Sequence, residues 1–176
     1  MDHQSTILIT GGARSGKSTF AQQLAEQLPG PRAYLATAQI HDQEMAVRVA
    51  RHQELRGSAW QATIEEPYQL HDTLQQAASQ YQVILVDCIT LWLTNLLLSN
   101  EHNPTAVLRL VDAFLSSLPQ IPATIIFVTN EVGSGIVPDN PLGRAFRDLA
   151  GTANQRLAAV CQEVYLVCCG LPLKLK

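Results

Sequence analysis

Apolar residues in this chain follow two kinds of pattern, short continuous runs and longer stretches at helical spacing. STILIT (5–10) is a β-rich run that breaks at Gly11-Gly12. A helical pattern follows from Lys17 to about Leu28, and PGPR (29–32) ends it. AYLATA (33–38) predicts a second strand, and 41–56 predicts a helix stopped by Gly57 or Ser58. WQATIEEP (60–67) predicts a short strand closed by Pro67, with a helix over 68–80 after it. YQVILVD (81–87) is an apolar run ending in an acid, and the spacing then predicts helices over 91–98 and 104–118. ATIIFVT (123–129) predicts another strand, followed by a loop with Gly133, Gly135 and Pro138 and a long helix over 141–161. The closing EVYLVCCGLPLKLK (163–176) reads as strand, Gly-Leu-Pro turn, strand. Continuous apolar runs suit parallel strands buried on both faces. Strands alternating with helices imply an open, wound α/β sheet in one domain spanning 1–176, with an antiparallel hairpin at its C-terminal edge.

Composition narrows the function without naming it. The chain has 176 residues, 47% of them hydrophobic and 15% charged, which is a globular balance able to bury a core. Net charge is −3, so no general basic field invites nucleic acid, and an anionic ligand must be held by a local site. The cysteines, Cys88, Cys161, Cys168 and Cys169, lack CxxC spacing and lie in or beside apolar runs. Buried reduced thiols are the expectation, which suits the cytoplasm. The N-terminal stretch does not read as a signal peptide, and no apolar run approaches the roughly 20 residues of a membrane span.

The first strand runs directly into GGARSGKS (11–18), a full G-x-x-x-x-G-K-[ST] match. Gly11 and Gly16 permit backbone geometry that a side chain would hinder. Amides of Gly12, Ala13, Arg14 and Ser15 then converge on phosphate oxygens, helped by the N-terminus of the following helix. Lys17 reaches the terminal phosphates, and the Ser18 hydroxyl is placed to ligate Mg²⁺. Asp87, ending a buried strand where ligands bind in such sheets, is the candidate second metal group. A strand-end acid capping the next helix is the plainer alternative.

The 41–56 stretch carries a further pattern. At helical geometry, about 100° per residue, His41, Arg48, His52 and Arg56 fall within about 80° of arc. Clustered like charge costs stability unless that face meets an anion. A neutral imidazole among guanidinium groups is a good nucleophile toward phosphorus. The pattern alone leaves this open against a solvated basic face with a bystander histidine.

Several segments together change the weighing. ILITGGARSGKS, YLATAQIHDQEMAVRVARHQELR, VILVDCITLWLTNLL, VTNEVGSGIVPDNPLGRAFRDLAGTANQRLAA and the closing EVYLVCCGLPLKLK resemble the bifunctional adenosylcobinamide kinase / adenosylcobinamide-phosphate guanylyltransferase family. The resemblance runs from about residue 6 to the C-terminus, and the A-T-A strand end, the H-x-x-x-R segment and the T-N-E-V-G-x-G-I-V-P loop carry most of its specificity. It implies a P-loop NTPase fold of three layers, mostly parallel and RecA-like. It also implies phosphorylation of adenosylcobinamide with ATP or GTP, then transfer of GMP from GTP through a guanylyl-histidine to give adenosylcobinamide-GDP.

The matching histidine is His52. By the same resemblance Gly11 to Ser18, Ala36, Thr37, Ala38, Gln53, Glu54, Leu55, Arg56 and Asp87 bind nucleotide. Glu65 contacts the guanosine, with Glu66 beside it as the alternative. A homotrimer is implied as well. Asn130 and Glu131 either reach the corrinoid or a neighbouring subunit, or form a loop held by its own hydrogen bonds. Thr90, Trp92 and Asn95 read as packing ahead of the alternative, substrate contacts, and Arg144 and Arg147 as a solvated face or a phosphate contact. Two competing readings stand beside this one, a P-loop small-molecule kinase without guanylyltransferase activity and a non-catalytic nucleotide-dependent switch.

Overall fold

A computed structural model describes residues 4–39 and 59–176. The helix expected over 41–56, and with it His52, Gln53, Glu54, Leu55 and Arg56, lies outside the described residues. The strands are β1 (Thr6–Thr10), β2 (Arg32–Ala36), β3 (Ala62–Glu65), β4 (Val83–Asp87), β5 (Thr124–Val128), β6 (Glu163–Cys168) and β7 (Leu171–Lys174). They form one sheet in the order β3-β2-β4-β5-β1-β6-β7, parallel except for the antiparallel β6–β7 pair. The described helices are α1 (Lys17–Gln27), α2 (Leu70–Ala77), α3 (Ile89–Ser99), α4 (Pro104–Ser117) and α5 (Pro141–Val160).

Alternation along the buried strands builds three layers, because successive side chains point to opposite faces. Leu8, Leu35, Ile84, Val86, Ile125 and Phe127 pack toward α2, α3, α4 and α5. Ile7, Ile9, Tyr34, Leu85, Ile126 and Val128 pack toward α1. Both faces are covered, and so β1 and β5 are buried at every position. Chain leaving β1 enters α1 on one face, whereas chain leaving β4 and β5 enters α3 and α5 on the other. A crevice therefore opens at the carboxyl ends between these strands, where α/β sheets bind ligands.

Local chemistry fixes the helix ends. Asn103 accepts hydrogen bonds from the N–H groups of Thr105 and Ala106, Asn140 accepts one from Gly143, and a proline follows each cap. Each such cap contributes about 1 kcal/mol. Arg32 donates to the carbonyls of Ala25, Glu26 and Leu28, satisfying the C-terminal end of α1.

Several boundaries differ from expectation. β2 ends at Ala36, because Thr37 turns inward to bond with β4's exit. α2 begins at Leu70, two residues late, because the Glu66 carboxylate accepts the N–H groups of Tyr68 and Gln69 before the helix starts. α3 begins two residues early, at Ile89. The C-terminal turn is Cys169-Gly170, with φ of 52° and 80°, and Leu171-Pro172 already belongs to β7. Positive φ at both positions suits a two-residue hairpin whose twist matches its strands, and proline is tolerated on the edge strand.

The cysteine expectation holds for half the set. Cys88 and Cys161 are buried, but Cys168 and Cys169 are exposed, and all four are free. Their apolar neighbours Leu171 and Leu173 lie on the edge strand and are exposed as well. Native protein treated with a thiol-reactive chromogenic disulfide is expected to react quickly at Cys168 and Cys169 alone. The other two should react only on unfolding, and fast reaction of all four would contradict this packing.

Candidate active site

The site grows from the end of β1. Gly11 is buried, and a Cβ there would sit 2.5 Å from the Val167 carbonyl oxygen on β6 and 2.6 Å from Ser15 Oγ. Only glycine fits without moving backbone. Gly16 adopts φ 93° and stands as the residue before α1, and its Phe20 N–H partner shows the helix already under way. Ser15 N–H donates to the Gly12 carbonyl at 3.2 Å, which curls the loop. A second support comes from far along the chain, where Gly170 N–H in the β6–β7 turn donates to the Ser15 carbonyl at 2.8 Å. The loop is thus a built cradle, with Gly12, Ala13 and Arg14 at its exposed mouth.

Lys17 Nζ donates to the Gly12 carbonyl at 3.0 Å, so its ammonium lies over the loop. Phosphate oxygens offer that ammonium a stronger, charge-assisted partner than a carbonyl does. Ser18 follows in the first turn of α1.

The register places the other predicted groups in one row. Ala36 pairs with Glu65 on one side and Asp87 on the other, and Asp87 pairs with Val128. All four stand at carboxyl ends. Asp87 Oδ2 accepts the Tyr34 hydroxyl at 2.9 Å, which orients the carboxylate. Thr37 is fully buried, and its N–H donates to the Asp87 carbonyl. Its hydroxyl donates to the Cys88 carbonyl and accepts from the Cys88 N–H. Thr37 therefore clamps the backbone carrying Asp87. Asn95 extends the clamp, donating to the carbonyls of Thr37 and Pro67 from a buried position.

The two glutamates are now distinguishable. Glu66 is committed to the start of α2, while Glu65 is exposed at the end of β3 and its carboxylate makes no hydrogen bond among the described residues. Cys88, beside Asp87, is no competing nucleophile. Burial, and then the Asp87 carboxylate, push its thiol up to about 12, with the Lys17 ammonium pulling the other way. Lys17 and Asp87 thus act on the same buried group.

The donor set fits a hard divalent cation. Ser18 and Asp87 offer oxygen ligands, as Mg²⁺ requires. Among the described residues no cluster of three or more His, Cys, Asp or Glu could hold a metal. Most ligands would then be phosphate oxygens and water, the usual case for a nucleotide-borne Mg²⁺.

The remaining expectations divide. Thr90 is buried, accepts the Asn130 N–H and meets Thr129, and Trp92 packs against Phe114. Arg144 donates to the carbonyls of Pro138 and Asp139, and Arg147 pairs with Asp148. Sequence reasoning missed the ties from Glu131 and Gly170 to the phosphate loop. Both cross more than 100 residues of chain, and only the glycine in a turn gave any sign.

Residues 7–175 match the family described as cobinamide kinase / cobinamide phosphate guanyltransferase. The chain is 44% identical to the bifunctional adenosylcobalamin biosynthesis protein CobP of Pseudomonas aeruginosa, over 96% of each chain. It is 44% identical to the protein CobU of the same description from Salmonella typhimurium, over 97% of this chain and 99% of the other. The Escherichia coli CobU is 40% identical over the same shares. The crystal structure of the RadB recombinase superposes with a TM-score of 0.54 over 94% of this chain and 74% of that one. At 16% identity that likeness bears on fold alone, and the fold is RecA-like α/β.

Proposed function

This chain belongs to the cobinamide kinase / cobinamide phosphate guanyltransferase family, and from that premise we propose that one phosphate cradle serves both of its reactions. The first phosphorylates the aminopropanol hydroxyl of adenosylcobinamide, with ATP or GTP as donor. The second joins GMP from GTP to that phosphate, giving adenosylcobinamide-GDP. The observation that carries this reading is the glycine cradle with Lys17 over it and Asp87 two strands away at the same sheet end.

In the kinase step the loop amides and Lys17 hold the polyphosphate and stabilise charge developing on the γ-phosphoryl oxygens. Ser18 and Asp87 would hold Mg²⁺, which supplies further charge neutralisation. In the transfer step His52 is the nucleophile. Its ring nitrogen forms a bond to the α-phosphorus of GTP while the bond to the β-phosphate bridging oxygen breaks and pyrophosphate leaves. The phosphate of adenosylcobinamide phosphate then attacks the same phosphorus, and the P–N bond breaks. Ala36 and Ala38, partly exposed at that strand end, line the nucleotide, and the buried Thr37 between them holds the strand end in place. Glu65 accepts hydrogen bonds from the guanine, supported by its uncommitted carboxylate, and the family resemblance gives Gln53 to Arg56 further contacts to the guanine nucleotide.

The family resemblance supports a homotrimer. A cytoplasmic setting accords with described helices that are too short or too polar to cross a membrane.

Incubating purified protein with adenosylcobinamide, GTP and Mg²⁺ and resolving products by mass tests the reading. Adenosylcobinamide phosphate should appear first and adenosylcobinamide-GDP after it. Phosphorylation that never proceeds to the GDP product would reduce the protein to a kinase, and no reaction would remove the reading.

A further inference from the structure

We propose that Glu131 is the catalytic base of the kinase step, taking the proton from the acceptor hydroxyl of adenosylcobinamide. The inference rests on the two-reaction reading above.

Placement comes first. Strand β5 lies between β4, which ends in Asp87, and β1, which ends in the cradle. Val128 pairs with Asp87 on one side and Ile9 on the other. Chain leaving β5 must therefore pass between the metal-binding carboxylate and the phosphate loop, and Glu131 is three residues along.

The structure holds it there from both sides. Glu131 N–H donates to the Gly11 carbonyl at 3.1 Å, and its Oε1 accepts the buried Thr10 hydroxyl at 2.5 Å. Just before it, Asn130 N–H donates to Thr90 Oγ1 at 2.8 Å, and the Asn130 carbonyl accepts from Asn154 at 3.1 Å. Thr129 donates to Asn154 Oδ1 at 2.8 Å and its N–H to the Ile9 carbonyl at 3.0 Å. Just after it, a single 3₁₀ turn at Val132–Ser134 closes the segment. A half-buried carboxylate with its backbone fixed in this way is pre-positioned rather than loosely tethered. Its second oxygen, Oε2, has no hydrogen-bond partner among the described residues.

A carboxylate is a costly residue beside a polyphosphate, because like charges repel. Bracing Thr10 alone requires only an acceptor, which glutamine would supply without the charge. The charge therefore points to proton chemistry. When the acceptor oxygen bonds to the γ-phosphorus and the bond to the β-phosphate bridging oxygen breaks, the hydroxyl proton must leave. Oε2 of Glu131 takes it and returns it to water after nucleoside diphosphate departs. The neighbouring groups are otherwise engaged, Asp87 with Tyr34 and the metal role and His52 with the α-phosphorus.

The second reaction needs no such base. Its acceptor is a phosphate already ionised near neutral pH, and imidazole attacks as the neutral ring. A brace for the cradle would serve both reactions, whereas a base serves only the first, and that difference is measurable.

The experiment compares wild type with Glu131→Gln in the full chain, measuring phosphorylation of adenosylcobinamide and, in the same preparation, GMP transfer to supplied adenosylcobinamide phosphate. Expected is a fall of about 10²- to 10³-fold in kinase kcat, the range for losing a general base. The KM for nucleotide should hold within about threefold, and the ratio of kinase to transferase activity should drop by about the same factor as kinase kcat. Thr10→Val, which frees the carboxylate but leaves its charge, should lower kinase kcat by a smaller factor. An equal fall in both activities would make Glu131 a brace and overturn the proposal, as would an unchanged kinase. If Glu131→Gln does not fold, Glu131→Asp, which withdraws the oxygens by one methylene, must show the same split or the proposal fails. Wild type that phosphorylates nothing would instead sink the two-reaction reading.

Discussion

Replacing Lys17 with alanine is expected to lower adenosylcobinamide phosphorylation and GMP transfer alike, each by about 10²- to 10³-fold, or about 3–4 kcal/mol of transition-state stabilisation. The reasoning starts from where the ammonium is held. Lys17 opens α1 directly after Gly16, and its Nζ reaches back across the loop to the Gly12 carbonyl at 3.0 Å. Any phosphate seated on the loop amides meets that charge. Both reactions break a bond within the triphosphate, so both develop charge on oxygens beside Lys17. Alanine removes the charge and leaves the glycine turn, whose own hydrogen bonds, Ser15 to Gly12 and Gly170 to Ser15, do not involve the lysine side chain. Circular dichroism should therefore show an intact fold. Steady-state rates for each reaction, measured separately, check the expectation. Loss of phosphorylation alone would place GTP for the transfer step at a second nucleotide site.

The cradle was legible because its determinants are local. Eight consecutive residues, GGARSGKS, carry the turn, the charge and the hydroxyl, with a strand before and a helix after. The buried strands were legible for a related reason. A run such as VILVD has no polar face to show, which is what coverage from both sides by helices demands. Asn-Pro at 103–104 and 140–141 likewise announces a capped helix start.

What escaped sequence reasoning depends on partners distant along the chain. Thr37 was read as strand, but its hydroxyl is drawn inward by the backbone of Cys88, 51 residues away. Leu171-Pro172 looked like a turn, yet the positive φ at Cys169 and Gly170 puts the turn one step earlier. Cys168 and Cys169 sit among apolar letters, but those letters belong to an edge that no described helix covers. The bond between Thr10 and Glu131 spans 121 residues. No periodicity reports a contact of that kind. The difference between Glu65 and Glu66 also needed coordinates, since only the capping of α2 by Glu66 sets their surroundings apart.

The second large effect concerns His52. An imidazole that attacks the α-phosphorus leaves a covalent guanylyl group on the protein, held by a P–N bond. Such a bond is stable in base and hydrolyses in acid, because protonation of nitrogen improves the leaving group. The guanidinium groups at Arg48, Arg51 and Arg56 share its stretch of sequence and suit phosphate oxygens. Removing the nucleophile should cost at least about 10³-fold in GMP transfer, since no other side chain replaces a covalent step. Phosphorylation of adenosylcobinamide should survive in His52→Ala within a few-fold, because a hydroxyl attacks the γ-phosphorus directly.

The most direct measurement is protein labelling. Wild type and His52→Ala are incubated with GTP carrying a radioactive α-phosphorus and Mg²⁺, denatured, and separated from free nucleotide. Wild type should retain label that acid releases and base does not, and His52→Ala should retain none while keeping its fold. Equal labelling of the two proteins would contradict the account, because GMP would then be carried by a different residue.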